Sequence, residues 1–534
     1  MLLLLLMLYL YVCHALSPDP TVTSPSGKYR GTTLTSPAGL RYNAFLGIPF
    51  ALPPTGALRF AKPVPYPKIE DVFIATKRGP VCIQSLGVDL GTQADEDCLY
   101  LNVYLPIHAE SNPNHLKKVF VYIHGGGYFM GSANEQVPGD LVTQHDVIVV
   151  TLNYRLSWLG FLRADDPQLP GNQAIWDQIL ALKWVRKNIR SFGGDPNHIT
   201  IGGNSVGSIS VSVLSIVRQA KYLFHRAFLM SGSAFQNVFT ASGSPALVLE
   251  YISNTVGCTS ADLQDKIQCL KTLPSSAYVL PIIGTFPLLF LSRDGELFPA
   301  PIMELVKNTT YLKHVGFFER DYLVSITNNE GPIAMVGLFS MGIDPTNFTI
   351  DHLSQILQTT PTIAQMTLDF YTGLKLPFPT LYHLIGDYIL DIPTLNFIKV
   401  LTSYVTDYHK RAYYMVLNYT PTLVPPLLNG FPHALDVSYL FDIRPDDVIK
   451  LYYRVNTGLD FTEEDRKLKK VYMNIVAGFI KKGDPSWTLA SNLTWPPFDL
   501  RSQHFLNFDQ SPHVDQFPIH QRQIFWETTF NSML

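Results

Sequence analysis

The stretch Ile199-Thr200-Ile201-Gly202-Gly203-Asn204-Ser205-Val206-Gly207 carries the decisive reading of this 534-residue chain. Ile199 to Ile201 reads as a short β-branched strand, and Ser208 to Val217 is apolar and small enough to enter a helix. Between them lies Gly-x-Ser-x-Gly, from Gly203 to Gly207. A serine on a sharp strand-to-helix turn projects its hydroxyl into the space above a sheet. Its flanking glycines let backbone segments approach where a Cβ would collide. Ser205 is therefore the candidate nucleophile.

Working outward, Lys118 to Ile123 (KVFVYI) and Asp146 to Leu152 (DVIVVTL) are short, β-branched and largely apolar, as strands buried on both faces require. Asn172 to Ile189 reads as a helix whose broad apolar face holds Ala174, Ile175, Ile179, Leu182, Trp184 and Val185, and Gly193-Gly194-Asp195-Pro196 ends it. Strands alternating with helices predict an α/β fold, a parallel or mostly parallel sheet with helices on both faces. From about Gly243 the chain is richer in helix-like segments and aromatics. These read as cap and rim helices over the sheet, with returning strands such as Ala412 to Leu417.

Attack by a serine needs donors for the developing oxyanion. His124-Gly125-Gly126-Gly127-Tyr128 follows directly on Ile123, and consecutive glycines let backbone N–H groups converge without side-chain obstruction. This glycine loop, with the N–H of Val206, is the expected source of oxyanion donors. The partners of such a serine follow in the order acid, then histidine. Glu330 follows the β-like Tyr322 to Ile326, and His433 lies in the loop Gly430-Phe431-Pro432-His433-Ala434. With fifteen histidines in the chain, pattern alone leaves both assignments open.

Composition bounds the rest. Only 16% of residues are charged, against about 25% in a typical soluble domain, so the interior is large for its surface. The absence of linker-like or low-complexity tracts and of repeats favours one large domain. Net charge is −3 with both signs interspersed, and no basic stripe suits a phosphate backbone, which argues against nucleic-acid binding. The densest charge run, Thr462 to Lys470, reads as a solvated helix: Thr462 caps it, acids fill its first turn, and Lys481 and Lys482 precede Gly483.

At the N-terminus, Leu2 to Val12 is an apolar run of 11 residues, too short for a bilayer that needs about 20. It predicts a signal peptide over residues 1–15, cleaved after Ala15, and a secreted product spanning residues 16–534. No second apolar span or C-terminal anchor is predicted. Cys13 would leave with the signal. Cys82, Cys98, Cys258 and Cys269 fall into two close pairs, which suggests Cys82–Cys98 and Cys258–Cys269 bridges, although four thiols allow three pairings. No spacing suggests zinc, and no metal or cofactor is expected. Sequons begin at Asn308, Asn347, Asn418 and Asn492, acceptors for glycans in a secreted chain.

Taken together these residues resemble the type-B carboxylesterase and cholinesterase family of α/β-hydrolases over nearly the whole mature chain. Phe45-Leu46-Gly47-Ile48-Pro49-Phe50-Ala51 is similar to its N-terminal signature, and Glu96-Asp97-Cys98-Leu99-Tyr100-Leu101-Asn102-Val103-Tyr104 is very specific to it. Asp177-Gln178, Phe192-Gly193-Gly194-Asp195-Pro196, Asp294-Gly295, Asn329-Glu330-Gly331, Pro432-His433-Ala434 and Gly483-Asp484-Pro485 follow in family order. The resemblance implies an α/β-hydrolase with helical cap insertions, Ser205 as nucleophile, Glu330 as acid and His433 as base. It also implies oxyanion donors at Gly126, Gly127 and Val206, both disulfide pairings and an Arg59–Glu96 salt bridge.

Two departures bear on substrate. The family elbow usually reads GESAG, but Asn204 and Val206 flank Ser205 here. Cholinesterases carry a tryptophan between the first cysteine pair for cation–π binding of quaternary ammonium, whereas residues 82–98 hold no aromatic residue. Neutral, apolar carboxylic esters are the expected substrates, small-molecule or lipid. The alternatives are a non-catalytic partner-binding ectodomain, or a lipase acting on aggregated lipid through the apolar Met366 to Tyr439 region.

Overall fold

The computed structural model describes residues 19–84, 93–107, 109, 115–164, 166–235, 244–279, 291–333, 348–376, 379–403, 411–426, 428, 430–488, 493–517 and 520–530. The predicted signal segment 1–15 and the sequon residues Asn347 and Asn492 lie outside them.

An 11-stranded sheet dominates the molecule. Its strands are β1 (Thr32–Thr35), β2 (Arg41–Pro49), β3 (Tyr100–Pro106), β4 (Lys117–Ile123), β5 (Ile148–Leu152), β6 (Gly194–Asn204), β7 (Arg226–Met230), β8 (Asp321–Thr327), β9 (Ala412–Leu417), β10 (His504–Phe508) and β11 (His513–Gln516). They lie side by side in the order β11-β10-β9-β8-β7-β6-β4-β5-β3-β2-β1. From β5 through β4 and β6 to β10 every pairing is parallel, and antiparallel strands flank this run on both sides. This is the α/β-hydrolase arrangement that the sequence predicts, with the strictly parallel part confined to the centre.

The buried stretches of the central strands are largely apolar, and alternate residues serve two different cores. Val119, Val121 and Ile123 of β4 join one cluster, together with Ala174, Ile179 and Leu182 of the helix Gln173–Asn188. Phe120 and Tyr122 of the same strand join the other, together with Ile475, Val476 and Phe479 of the helix Glu463–Lys482. Period-two geometry sends successive side chains to opposite faces, so a strand covered by helices on both sides must be apolar at every position. The helix Glu463–Lys482 starts and stops as its charge pattern predicts. Thr462 and Asp465 form a capping box, and Gly483 closes the end with φ 68°.

Two boundaries differ from expectation. β6 begins at Gly194, well before Ile199, because Gly194 pairs with Lys117 ahead of a register shift that hides the strand's periodicity. β5 begins at Ile148 because Asp146 instead caps the helix Gly139–His145 in a left-handed conformation, φ 55°.

Of the three pairings open to four thiols, the chain forms Cys82–Cys98 and Cys258–Cys269. Arg59 holds Glu96 through two hydrogen bonds, Nε to Oε2 at 2.7 Å and Nη2 to Oε1 at 2.5 Å, with both side chains buried. Arg59 Nη1 also donates to the carbonyls of Leu270, Lys271 and Leu273, which ties the segment after the second disulfide to the first.

Candidate active site

Four loops at the C-terminal ends of the parallel strands supply the site, where ligands of open α/β sheets bind. The elbow is one residue long: β6 ends at Asn204 and the helix Val206–Ile216 begins immediately after Ser205. Ser205 sits at φ 58° and ψ −125°, a conformation costing a non-glycine residue about 1–3 kcal/mol. The surroundings enforce it. Ser205 N–H donates to Met230 O at 2.8 Å and its carbonyl accepts from Ile209 N. A Cβ on Gly203 would come within 2.5 Å of Gly207 C, and one on Gly207 within 2.2 Å of Ile123 O, so only glycine fits either position.

The glycine loop leaves β4 beside this turn. Gly126 has φ 103° and its carbonyl accepts from the N–H groups of Phe129 and Met130. Among the described residues no protein acceptor takes the N–H groups of Gly126, Gly127 or Val206, the three predicted oxyanion donors. Tyr128 anchors the loop to the helix after the elbow, its hydroxyl 3.0 Å from Ser210 Oγ, which also accepts from Gln178 Nε2 at 3.0 Å. His124 stacks on Tyr154 at 4.3 Å, and burial pushes its imidazole down to about 4. It stays neutral beside the loop.

The acid and base candidates, 103 positions apart in sequence, meet at 2.5 Å between Glu330 Oε2 and His433 Nδ1. The carboxylate's other oxygen, Oε1, accepts from Ser231 Oγ at 2.6 Å and from the N–H of Thr327 at 2.7 Å. Three partners on one buried carboxylate fix its orientation toward the imidazole. With Nδ1 so engaged, the proton-accepting nitrogen of a neutral His433 is Nε2, which is buried and has no hydrogen-bond partner among the described residues. The two loops are stitched together. Phe431 N–H donates to Asn328 Oδ1 at 2.7 Å, Asn329 bridges Pro432, and Tyr453 hydroxyl donates to His433 O at 2.8 Å.

Two participants have no local signal in the sequence. Ser231 follows β7 in a left-handed conformation, φ 58°, and reaches Glu330 only because β7 pairs with β8. Asp436, three residues after His433, lies against the elbow and accepts from Asn204 Nδ2 at 3.2 Å. Asn308 and Asn418, the described sequon residues, are exposed.

Comparison with known proteins gives a consistent picture. The carboxylesterase family profile matches residues 18–526. Esterase FE4 of Myzus persicae is 33% identical over 90% of this chain and 88% of its own length. Pyrethroid hydrolase Ces2a of Mus musculus is 30% identical over 98% of this chain and 94% of its own. Neuroligin-3 of Mus musculus is 27% identical over 96% of this chain and 69% of its own.

Proposed function

The chain belongs to the carboxylesterase family, and from that premise we propose that it hydrolyses carboxylic esters through Ser205, Glu330 and His433. The observation that carries this reading is the Glu330–His433 contact, which leaves Nε2 of the imidazole unpartnered on the side away from the carboxylate. In this mechanism His433 Nε2 takes the hydroxyl proton as Ser205 Oγ attacks the ester carbonyl. Glu330 holds the imidazole tautomer and stabilises the imidazolium that forms. The N–H groups of Gly126, Gly127 and Val206 receive the oxyanion, each such donor being worth about 10²–10³ in turnover. His433 then passes its proton to the departing alcohol, and water activated by the same imidazole cleaves the acyl-enzyme.

The proposed substrates are neutral and apolar, because Asn204 brings no charge to the elbow and residues 82–98 bring no aromatic face. The proposed product of the gene is exported after loss of residues 1–15, as one catalytic unit over 16–534 carrying glycans on its sequons. Both disulfides support an oxidising destination. Among the described residues no helix is long and apolar enough to cross a membrane.

Purified wild-type protein is expected to hydrolyse short-chain p-nitrophenyl esters, and Ser205→Ala to reduce the rate to background. An unchanged rate in that variant sinks the proposal. The likeness to neuroligin-3 supports a second reading, a partner-binding ectodomain without catalysis. An organophosphate probe decides between them, since labelling at Ser205 requires the activated hydroxyl.

A further inference from the structure

Asn204, one of the two elbow residues that depart from the family pattern, is wholly buried, as is Asp436 beside it. Asn204 Nδ2 donates to Asp436 Oδ1 at 3.2 Å. The remaining oxygen of each group, Asn204 Oδ1 and Asp436 Oδ2, is buried without a hydrogen-bond partner among the described residues. A carboxylate can only accept, so an ionised Asp436 leaves both orphan oxygens unmet, which is unfavourable for buried polar groups. One proton on Oδ2 satisfies both: the carboxylic acid donates to the amide oxygen while the amide donates to the acid's carbonyl oxygen. We propose that Asp436 is a positioning residue that carries this proton and closes a two-way hydrogen-bonded pair with Asn204, bracing the elbow from behind Ser205. The inference rests on the reading of Ser205 as nucleophile.

The surroundings favour the protonated form. Burial and the nearby Glu330 carboxylate push Asp436 up to about 7, against the opposing pull of His433 and of the N–H groups of Asp436 and Val437. The other groups within electrostatic reach bring no compensating cation. Tyr122 of β4, Tyr452 and Tyr453 of the helix Pro445–Tyr453, and Tyr472 of the helix Glu463–Lys482 are all held neutral by burial. Glu135, which shares Tyr122 and Tyr452 as neighbours, is itself pushed up to about 7. When Asp436 releases its proton to solvent, the pair loses one of its two hydrogen bonds and a second negative charge appears near His433.

The experiment compares Asp436→Asn with Asp436→Leu in the full chain. An amide at 436 retains both hydrogen bonds without a titrating proton, whereas leucine removes both. In wild-type protein kcat is expected to fall severalfold as pH rises through the Asp436 titration, with KM little changed. Asp436→Asn restores the pair: kcat at pH 6 stays within about twofold of wild type and the alkaline decline is lost. Asp436→Leu lowers kcat about tenfold or more at every pH. If Asp436→Asn loses as much as Asp436→Leu at pH 6, the ionised carboxylate is the working form and the proposal is wrong. It is equally wrong if Asp436→Asn keeps the wild-type alkaline decline.

A second readout does not depend on catalysis. The folded-state value of Asp436 lies above its unfolded value of 3.8, so the folded chain holds a proton that the unfolded chain releases. Its contribution to stability is full below 3.8 and is lost as pH rises to about 7. Urea unfolding should therefore show wild type losing stability relative to Asp436→Asn across that window, and a constant difference overturns the proposal. Failure of ester hydrolysis in wild type would instead remove the Ser205 reading and leave this measurement standing.

Discussion

Glu330 shows how a single side chain is specified by its neighbours. Each of its oxygens has a defined task, Oε1 held by Ser231 and Thr327 and Oε2 facing His433. Glu330→Gln preserves shape but replaces one acceptor oxygen with a donor, which presents an N–H either to the Nδ1 proton or to the Ser231 and Thr327 donors. The imidazole then loses its tautomer and its countercharge. We expect kcat to fall about 10⁴-fold, the loss seen when a triad acid becomes an amide, while the circular-dichroism spectrum stays that of wild type. A loss below tenfold would mean that another group orients His433. Ser231 contributes one of the two donors to Oε1, and no residue around it in the chain announces that role.

At the scale of elements, the junction of β6 with the helix Val206–Ile216 is where local sequence and packing agree most tightly. Ser205 accepts an unfavourable conformation because strand, helix and the neighbouring β4 leave no other path. Gly207→Ala tests this directly. The added methyl would sit 2.2 Å from Ile123 O, so helix and strand must separate. Activity is expected to fall to background and the thermal midpoint to drop, whereas Ser208→Ala, which removes only a hydrogen bond to Gly232 O, should lower the midpoint far less. Equal midpoints for the two variants would show that the elbow has slack. β6 also marks a limit of sequence reading. Its early part from Gly194 is invisible to periodicity because a register shift separates it from Ile199.

At the scale of the whole molecule, Arg59 links regions far apart in the chain. It pairs with Glu96, two residues before Cys98, and with carbonyls at Leu270, Lys271 and Leu273, just beyond Cys269. Arg59→Met leaves the Glu96 carboxylate buried and unpaired, for which about 3–5 kcal/mol is the usual cost. The expected outcome is a clear loss of urea stability, with KM of the surviving folded protein close to wild type. A stability change under 1 kcal/mol would mean that Glu96 finds water or another donor.

The sequence by itself determined the parts whose physics is local. The β-branched runs, the glycine pair around Ser205, the glycine loop after Ile123 and the capped helix from Glu463 all follow from spacing, steric need and charge order within a few residues. Local pattern left open which histidine meets which acid; the family resemblance pointed to Glu330 and His433, and the pairing of β8 with β9 and the loops beyond them brings the two together. The tertiary structure alone decided that Ser231 supports the acid and that Asp436 lies behind Asn204. Those facts depend on approach between distant segments, which strand order sets and no local pattern encodes.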